Sequence, residues 1–326
     1  MNNAPLPLIR FNSLFPGAMG VPGSDEETGL RVHPTGTVFY VDPNFPGAEA
    51  TRDGTNPTNP LSTVAAAIDR CQDHRGDVII VGANSMWQYG KGGQGVADAE
   101  YTTVISEEVT LDKAGVKLIG VSPSTLGVTW NPASDGGTCI TVTAIDCLIE
   151  GFVFAEGATY TACDGIYVEW NGTTMFGENC TIRNCTFAGD DGCATGIQLE
   201  FAWYCDIVNN KFIQCTSRGI WVDTAGSGSA FNVISGNFFQ DCVVAAATLH
   251  DTVDSLVIGN YVYNGTAAGG GAATNEGIDT LGGTTNLIAN NFFSVLNADW
   301  GTFCRGVAGD AWVANMLMDQ MAVVTP

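Results

Sequence analysis

Basic residues are scarce in this 326-residue chain: 12 Lys and Arg stand against 34 Asp and Glu, for a formal net charge of −22. A surface of that sign repels phosphate backbones and anionic headgroups, so neither nucleic acid nor a membrane is an expected partner. Long apolar runs are missing as well; none reaches the length of a membrane span. Met1-Asn-Asn-Ala-Pro-Leu-Pro7 has no basic start and no apolar stretch, so no secretory leader is expected. Histidine is limited to His33, His74 and His250. The eleven cysteines include no paired Cys-x-x-Cys, which argues against a structural zinc. Helical periodicity is nearly absent.

What the chain has instead is a repeat. Cys147-Leu-Ile-Glu-Gly-Phe-Val-Phe154, Cys180-Thr-Ile-Arg-Asn-Cys-Thr-Phe187, Cys205-Asp-Ile-Val-Asn-Asn-Lys-Phe212, Asn232-Val-Ile-Ser-Gly-Asn-Phe-Phe239, Ser255-Leu-Val-Ile-Gly-Asn-Tyr-Val262 and Asn286-Leu-Ile-Ala-Asn-Asn-Phe-Phe293 align without gaps. The third position is always Ile or Val, and Asn or Gly fills most fifth and sixth positions. A second series runs out of phase: Gly165-Ile-Tyr-Val-Glu169, Gly196-Ile-Gln-Leu-Glu200, Gly219-Ile-Trp-Val-Asp223 and Gly277-Ile-Asp279. Each period holds short segments of alternating polarity, as half-buried strands do. One such unit cannot bury its apolar face alone and must stack on its neighbours. The prediction is an all-β solenoid of parallel strands in about eight coils. The cysteines Cys180 and Cys205 then occupy equivalent places on successive coils, within disulfide reach; without a leader they are expected as a buried column of reduced thiols.

These segments resemble the right-handed parallel β-helix of the pectin-lyase-like superfamily, from about Val38 to about Met318. That superfamily holds lyases, hydrolases, adhesins and phage tail proteins, so the resemblance implies a fold and leaves the function open. Residues 37–326 are assigned to the β-helix. Residues 1–36 are read as an extended arm: Pro5, Pro7, Pro16, Pro22 and Pro34 forbid regular structure. Leu6, Leu8, Ile9, Phe11, Leu14 and Phe15 make the arm too apolar for a solvated linker, so it is expected to dock in assembly. Val38-Phe-Tyr-Val-Asp42 reads as a strand. Ser62 or Thr63 then caps a short helix running to about Cys71, with Val64, Ala65 and Ile68 on one face. This order resembles the capped start of tailspike-type β-helices. The Gly-rich stretch Gln88 to Gly95 lacks the Gly-Lys-Ser/Thr ending of a phosphate loop and reads as a surface loop.

Candidate chemistry lies in the second series. Inward Ile leaves Tyr167, Gln198 and Trp221 on one outer column, and Glu169, Glu200 and Asp223 on the next. Carboxylates stacked at strand spacing cannot all ionise freely. Such a column can hold a proton for general-acid work, bind a divalent cation such as Ca²⁺, or splay into water. Acidic pairs beside aromatics resemble the sites of tailspike-type glycosidases, which implies sugar stacking on Tyr167 and Trp221. Asp190 and Asp191 in Gly-Asp-Asp-Gly resemble the Asp-Asp step of polygalacturonase-like enzymes, without the companion Gly-His and Arg-x-Lys elements. Arg183 and Arg218 read as isolated, and His250 as belonging to a different coil. No catalytic set is complete, no resident metal or cofactor is assigned, and an enzyme is the lesser expectation.

The first reading is a structural protein of a phage particle, a capsid-decoration or tailspike-like homotrimer docked on other virion proteins through its arm, with a surface glycan as a further partner. The second is a polysaccharide hydrolase or lyase using Glu169, Glu200, Asp223, Asp190 and Asp191.

Overall fold

The computed structural model describes residues 36–45, 47–82, 103–121, 128–155, 163–170, 177–188, 193–222, 228–264, 276–295, 304–317 and 322–324. The arm, the Gly-rich loop, Asp190, Asp191 and Asp223 lie outside the described residues.

The repeat anchors sit side by side. Ile149, Ile182, Ile207, Ile234, Val257 and Ile288 are consecutive partners in parallel strands, and each is buried. The eighth positions make a facing column, Phe154, Phe187, Phe212, Phe239, Val262 and Phe293. Three sheets result. The first starts at Val38–Val41 and has ten strands; the second starts at Thr103–Ser106 and has ten; the third starts at Val109–Leu111 and has seven. Among the described residues seven coils therefore carry all three strands, close to the eight expected. All neighbours in the three sheets run parallel except Ala322–Val324, which pairs antiparallel with Asn315–Leu317. The chain is the parallel β-helix that the repeats predict.

The two repeat series turn out to be one packing unit. Three second-sheet Phe rings lie against glycines of the third-sheet segments. A Cβ on Gly196 would sit 2.5 Å from the Phe212 ring and 2.7 Å from the Gly219 carbonyl oxygen; Gly165 and Gly219 meet Phe187 and Phe239 in the same way. Glycine is there for space, so that the ring can close the coil.

The Asn-rich corner divides into two roles. The fifth position takes the left-handed backbone that Asn and Gly tolerate best: Asn184, Asn209, Gly236, Gly259 and Asn290 have φ between 53° and 65°. The sixth position turns inward. Asn210, Asn237, Asn260, Asn291 and Asn315 are fully buried, and the backbone N–H and side-chain Nδ2 of each of the first four donate to the Oδ1 of the next. The solenoid needs such a ladder because these corner N–H groups are sealed from water.

At the N-terminal end a one-turn helix, Val64–Ile68, covers the stack. Thr63 is its N-cap, and Glu107 from the next coil accepts the Val64 and Ala65 N–H groups at 3.0 and 3.1 Å. The helix is shorter than expected. Val64, Ala66, Ala67 and Ile68 are buried, the i, i+3, i+4 set Val64, Ala67 and Ile68 among them, which leaves Ala65 exposed.

Just ahead of this cap, Asp42 is fully buried. Its Oδ1 accepts the Asn44 N–H at 3.0 Å, while Oδ2 has no hydrogen-bond partner. Burial pushes the carboxyl up to about 6, against the lowering effect of the Asn44 and Phe45 N–H groups. The folded value lies above the unfolded one. The neutral acid's contribution to stability is therefore intact below about pH 4 and is lost as pH rises through about 6. The stability of the wild type relative to Asp42→Asn should thus fall by up to about 3 kcal/mol between pH 4 and 7. Urea melts of both proteins across that range check it; a pH-independent difference would contradict it.

Candidate functional site

The third sheet turns Ile166, Ile197 and Ile220 inward and the next residue of each strand outward, as the sequence requires. Tyr167, Gln198, Trp221, Thr248 and Asp279 are consecutive partners in one outer column, and Arg305 bridges to Asp279 at its end. At strand spacing these six rungs make a strip roughly 24 Å long. Beside it, Glu169 follows Val168, Glu200 follows Leu199 and His250 follows Leu249, each from an equivalent place in its coil.

The near end is acidic and aromatic. The Tyr167 hydroxyl donates to Glu200 Oε2. Burial first, and the Glu200 charge second, hold the Glu169 carboxyl above the usual carboxylate range. The two carboxylates sit in different surroundings: Glu200 accepts a phenol hydrogen bond, and Glu169 is the one whose carboxyl burial pushes up. Trp170 and Phe201, the residues directly after them, meet edge to face at 5.4 Å. Asp164, on the same sheet, is raised by burial and partly offset by its bonds with Thr195.

The centre of the strip is Trp221, with the Arg218 guanidinium 5.1 Å above its ring. Arg218 Nε also donates to Thr248 Oγ1 at 3.0 Å, so Arg218 is not isolated. It covers a ring face that a sugar would otherwise use. Nor is Arg183 alone, since it pairs with Glu150 at 2.7 Å.

The far end is a charged cluster that sequence reasoning missed. Asp279 is fully buried; its Oδ2 receives His250 Nε2 at 2.9 Å and Arg305 Nη2 at 2.6 Å, and its Oδ1 receives the Leu281 N–H. Burial works to raise this carboxyl, but the His250 and Leu281 hydrogen bonds and the His250 and Arg305 charges outweigh it and the net shift is downward. His250 thus belongs to the Glu169–Glu200 column. The signal was hidden because the intervening coil reads Ala245-Ala-Ala-Thr-Leu249, with Ala246 where its neighbours have the Gly of Gly-Ile.

Fold and strip together define a parallel β-helix with one chemically dense outer face. Residues 102–300 match the family described as "Periplasmic copper-binding protein (NosD)", and the chain belongs to that family. None of the curated proteins matches the sequence. Similar solved structures include an alginate lyase from a Paenibacillus species, 16% identical over 79% of this chain and 85% of that one, with a TM-score of 0.49. A tailspike protein of E. coli bacteriophage HK620 is 14% identical over 80% of this chain, with a TM-score of 0.46; the chain spans 56% of that protein. The ORF18 product of Geobacillus virus E2 is 12% identical over 86% of this chain and 60% of its own length, with a TM-score of 0.42. With TM-scores below 0.5, these likenesses leave the chemistry to this chain's own residues.

Copper, which the family's description names, does not fit the residues described. Among them no group of three or more His, Cys, Asp or Glu side chains is placed to hold a metal ion. All eleven cysteines are buried, and burial pushes thiols such as Cys185 and Cys304 up to about 12, away from the thiolate a metal needs. Among the described residues no helix is long and apolar enough to cross a membrane.

Proposed function

We propose that this chain is a glycan-binding β-helix serving a phage particle as a surface or adsorption protein. The observation that carries the reading is the near end of the strip: a differentiated carboxylate pair, Glu169 and Glu200, flanked by Tyr167 and the Trp170–Phe201 pair, on an outward face that runs along the solenoid. Sugars present both hydroxyls and apolar ring faces, and such a mixture of acceptors and aromatic surface recognises both. The virion part rests on the sequence, whose N-terminal segment is apolar in a way suited to docking.

A pair of carboxylates is also what a glycosidase uses, with Glu169 as acid and Glu200 as its partner. The binding and cleaving readings part on one assay. Incubated with a panel of bacterial surface polysaccharides, the wild type is expected to be retained by at least one of them and to release no new reducing or unsaturated ends. Product release that disappears in Glu200→Gln would replace the binding protein with an enzyme. Quantitative mass spectrometry of purified particles from the source tests the virion part; absence from them would remove it.

A further inference from the structure

Four of the cysteines stand in line on consecutive coils, where the second sheet passes to the third. Cys163 and Cys193 open the strands Cys163–Val168 and Cys193–Leu199 and are register partners. Cys215 and Cys242 continue the line. The residue after each donates its N–H to the carbonyl of the preceding cysteine, Thr216 to Cys193 at 3.0 Å and Val243 to Cys215 at 2.9 Å. The Cys215 thiol is hydrogen-bonded to those of Cys193 and Cys242. All four are buried thiols. Parallel neighbours stand about 4.8 Å apart, inside the range of about 4.4–6.8 Å that a disulfide spans between Cα atoms. A small, partly open pocket meets the column at its Cys163 end. It is lined by Cys139, Cys163 and Cys193, by the Trp130 and Phe154 rings, and by Asp164. Packing thiols as small apolar side chains requires no carboxyl beside them. Burial holds the Asp164 carboxyl above the usual carboxylate range, against the lowering effect of its bonds with Thr195, and so makes it a stronger proton acceptor.

We infer that this pocket is a thiol–disulfide exchange site, at which Cys163 and Cys193 are reversibly oxidised by a small organic disulfide. The thiolate is the attacking form in such exchange. Asp164 takes the proton of Cys163, and the Cys163 sulfur attacks one sulfur of the incoming disulfide. That S–S bond breaks, and half of the reagent leaves as a thiol with the proton that Asp164 held. The Cys193 sulfur then attacks the mixed disulfide at Cys163. The second half of the reagent leaves as a thiol with the Cys193 proton. The two cysteines have lost two electrons and two protons, and the reagent has gained them. The new bond joins the strand that leads to Tyr167 and Glu169 to the strand that leads to Gln198 and Glu200, so oxidation staples the two coils at the near end of the strip. This inference rests on the column and its pocket and is independent of the glycan reading.

The test is to incubate the native full chain with hydroxyethyl disulfide, alkylate it in denaturant at intervals, and map the peptides by mass spectrometry. The first disulfide to form should link the peptides of Cys163 and Cys193, while Cys180, Cys185 and Cys304 are still recovered as alkylated thiols. Asp164→Asn keeps the shape of the side chain and removes the proton acceptor; it should slow that bond roughly tenfold. Asp164→Glu should recover part of the rate, which a purely structural role for Asp164 would not give. Should the Asn variant fail to fold, the order of reaction in the wild type decides by itself. Cys180 is the internal comparison, because its thiol is hydrogen-bonded to those of Cys147 and Cys205 in a column away from the pocket. A Cys163–Cys193 bond that forms no faster than a bond at Cys180, recovery of all the cysteines as thiols, or equal rates in the wild type and Asp164→Asn would overturn the assignment.

Discussion

Asn260→Ala is expected to lower the stability of the β-helix by roughly 3–6 kcal/mol, a large part of the 5–15 kcal/mol that folded domains typically possess. The Asn260 side chain is fully buried and works in both directions. Its Oδ1 accepts the Asn237 backbone N–H and the Asn237 amide, both at 3.0 Å. Its Nδ2 donates to the Ile234 carbonyl at 2.9 Å and to Asn291 Oδ1 at 3.0 Å. Alanine strands two donors of Asn237 in a sealed corner and takes a donor from Ile234; each stranded group costs about 1–3 kcal/mol. The loss should spread along the stack because every rung orients the next. Asn290→Ala is the matched control. It changes the exposed, left-handed position one corner step away, where Ala314 already holds φ 53° in the last coil, and should cost about 1 kcal/mol. Guanidinium unfolding of the two variants against wild type measures both. Equal and small losses would mean that the buried ladder contributes little.

Phe212→Ala should cost about 3–5 kcal/mol. Phe212 is fully buried, stacked 4.9 Å from Phe187 and 4.7 Å from Phe239 with the rings within 8° of parallel. Its ring also lies over Gly196, which supplies a sharper test. Gly196→Ala alone forces a methyl to within 2.5 Å of that ring and should be strongly destabilising. In the Phe212→Ala background the ring clash is gone and only the 2.7 Å approach to the Gly219 carbonyl oxygen remains, so the second substitution should cost clearly less than it does in the wild type. The double-mutant cycle should show a coupling of at least about 1 kcal/mol. Additive losses would mean that the two repeat series do not depend on each other as described.

Much of this architecture was legible in the sequence because a solenoid repeats its constraints. One Ile anchor proves little, but six aligned ones fix the inward column, and the alternation that follows fixes which residues face out. That is why Tyr167, Glu169, Glu200 and Trp221 could be placed before any coordinates. The His250–Asp279–Arg305 cluster was not legible, because its members come from three coils and Ala246 breaks the Gly-Ile pattern between them. Arg218 looked solitary since a cation over an indole leaves no mark in spacing. The role of the glycines was only half readable: their need for room depends on a Phe from the other series. Spacing alone does not divide the corner Asn positions, whose fifth members bend the backbone while the sixth bond within the core.

The central claim is that the outer face of the seven-stranded sheet binds sugar at its Trp170 end. The most direct test is affinity electrophoresis of the wild type, Trp170→Ala and Tyr204→Ala through gels containing each polysaccharide of a bacterial surface panel. At least one polysaccharide should retard the wild type. Trp170→Ala should weaken that retardation roughly tenfold, about 1.4 kcal/mol, by removing a stacking face. Tyr204→Ala, which removes a more exposed aromatic that stacks on Phe231 at the neighbouring corner, should leave it unchanged. No retardation by any polysaccharide, or equal loss in both variants, would contradict the account.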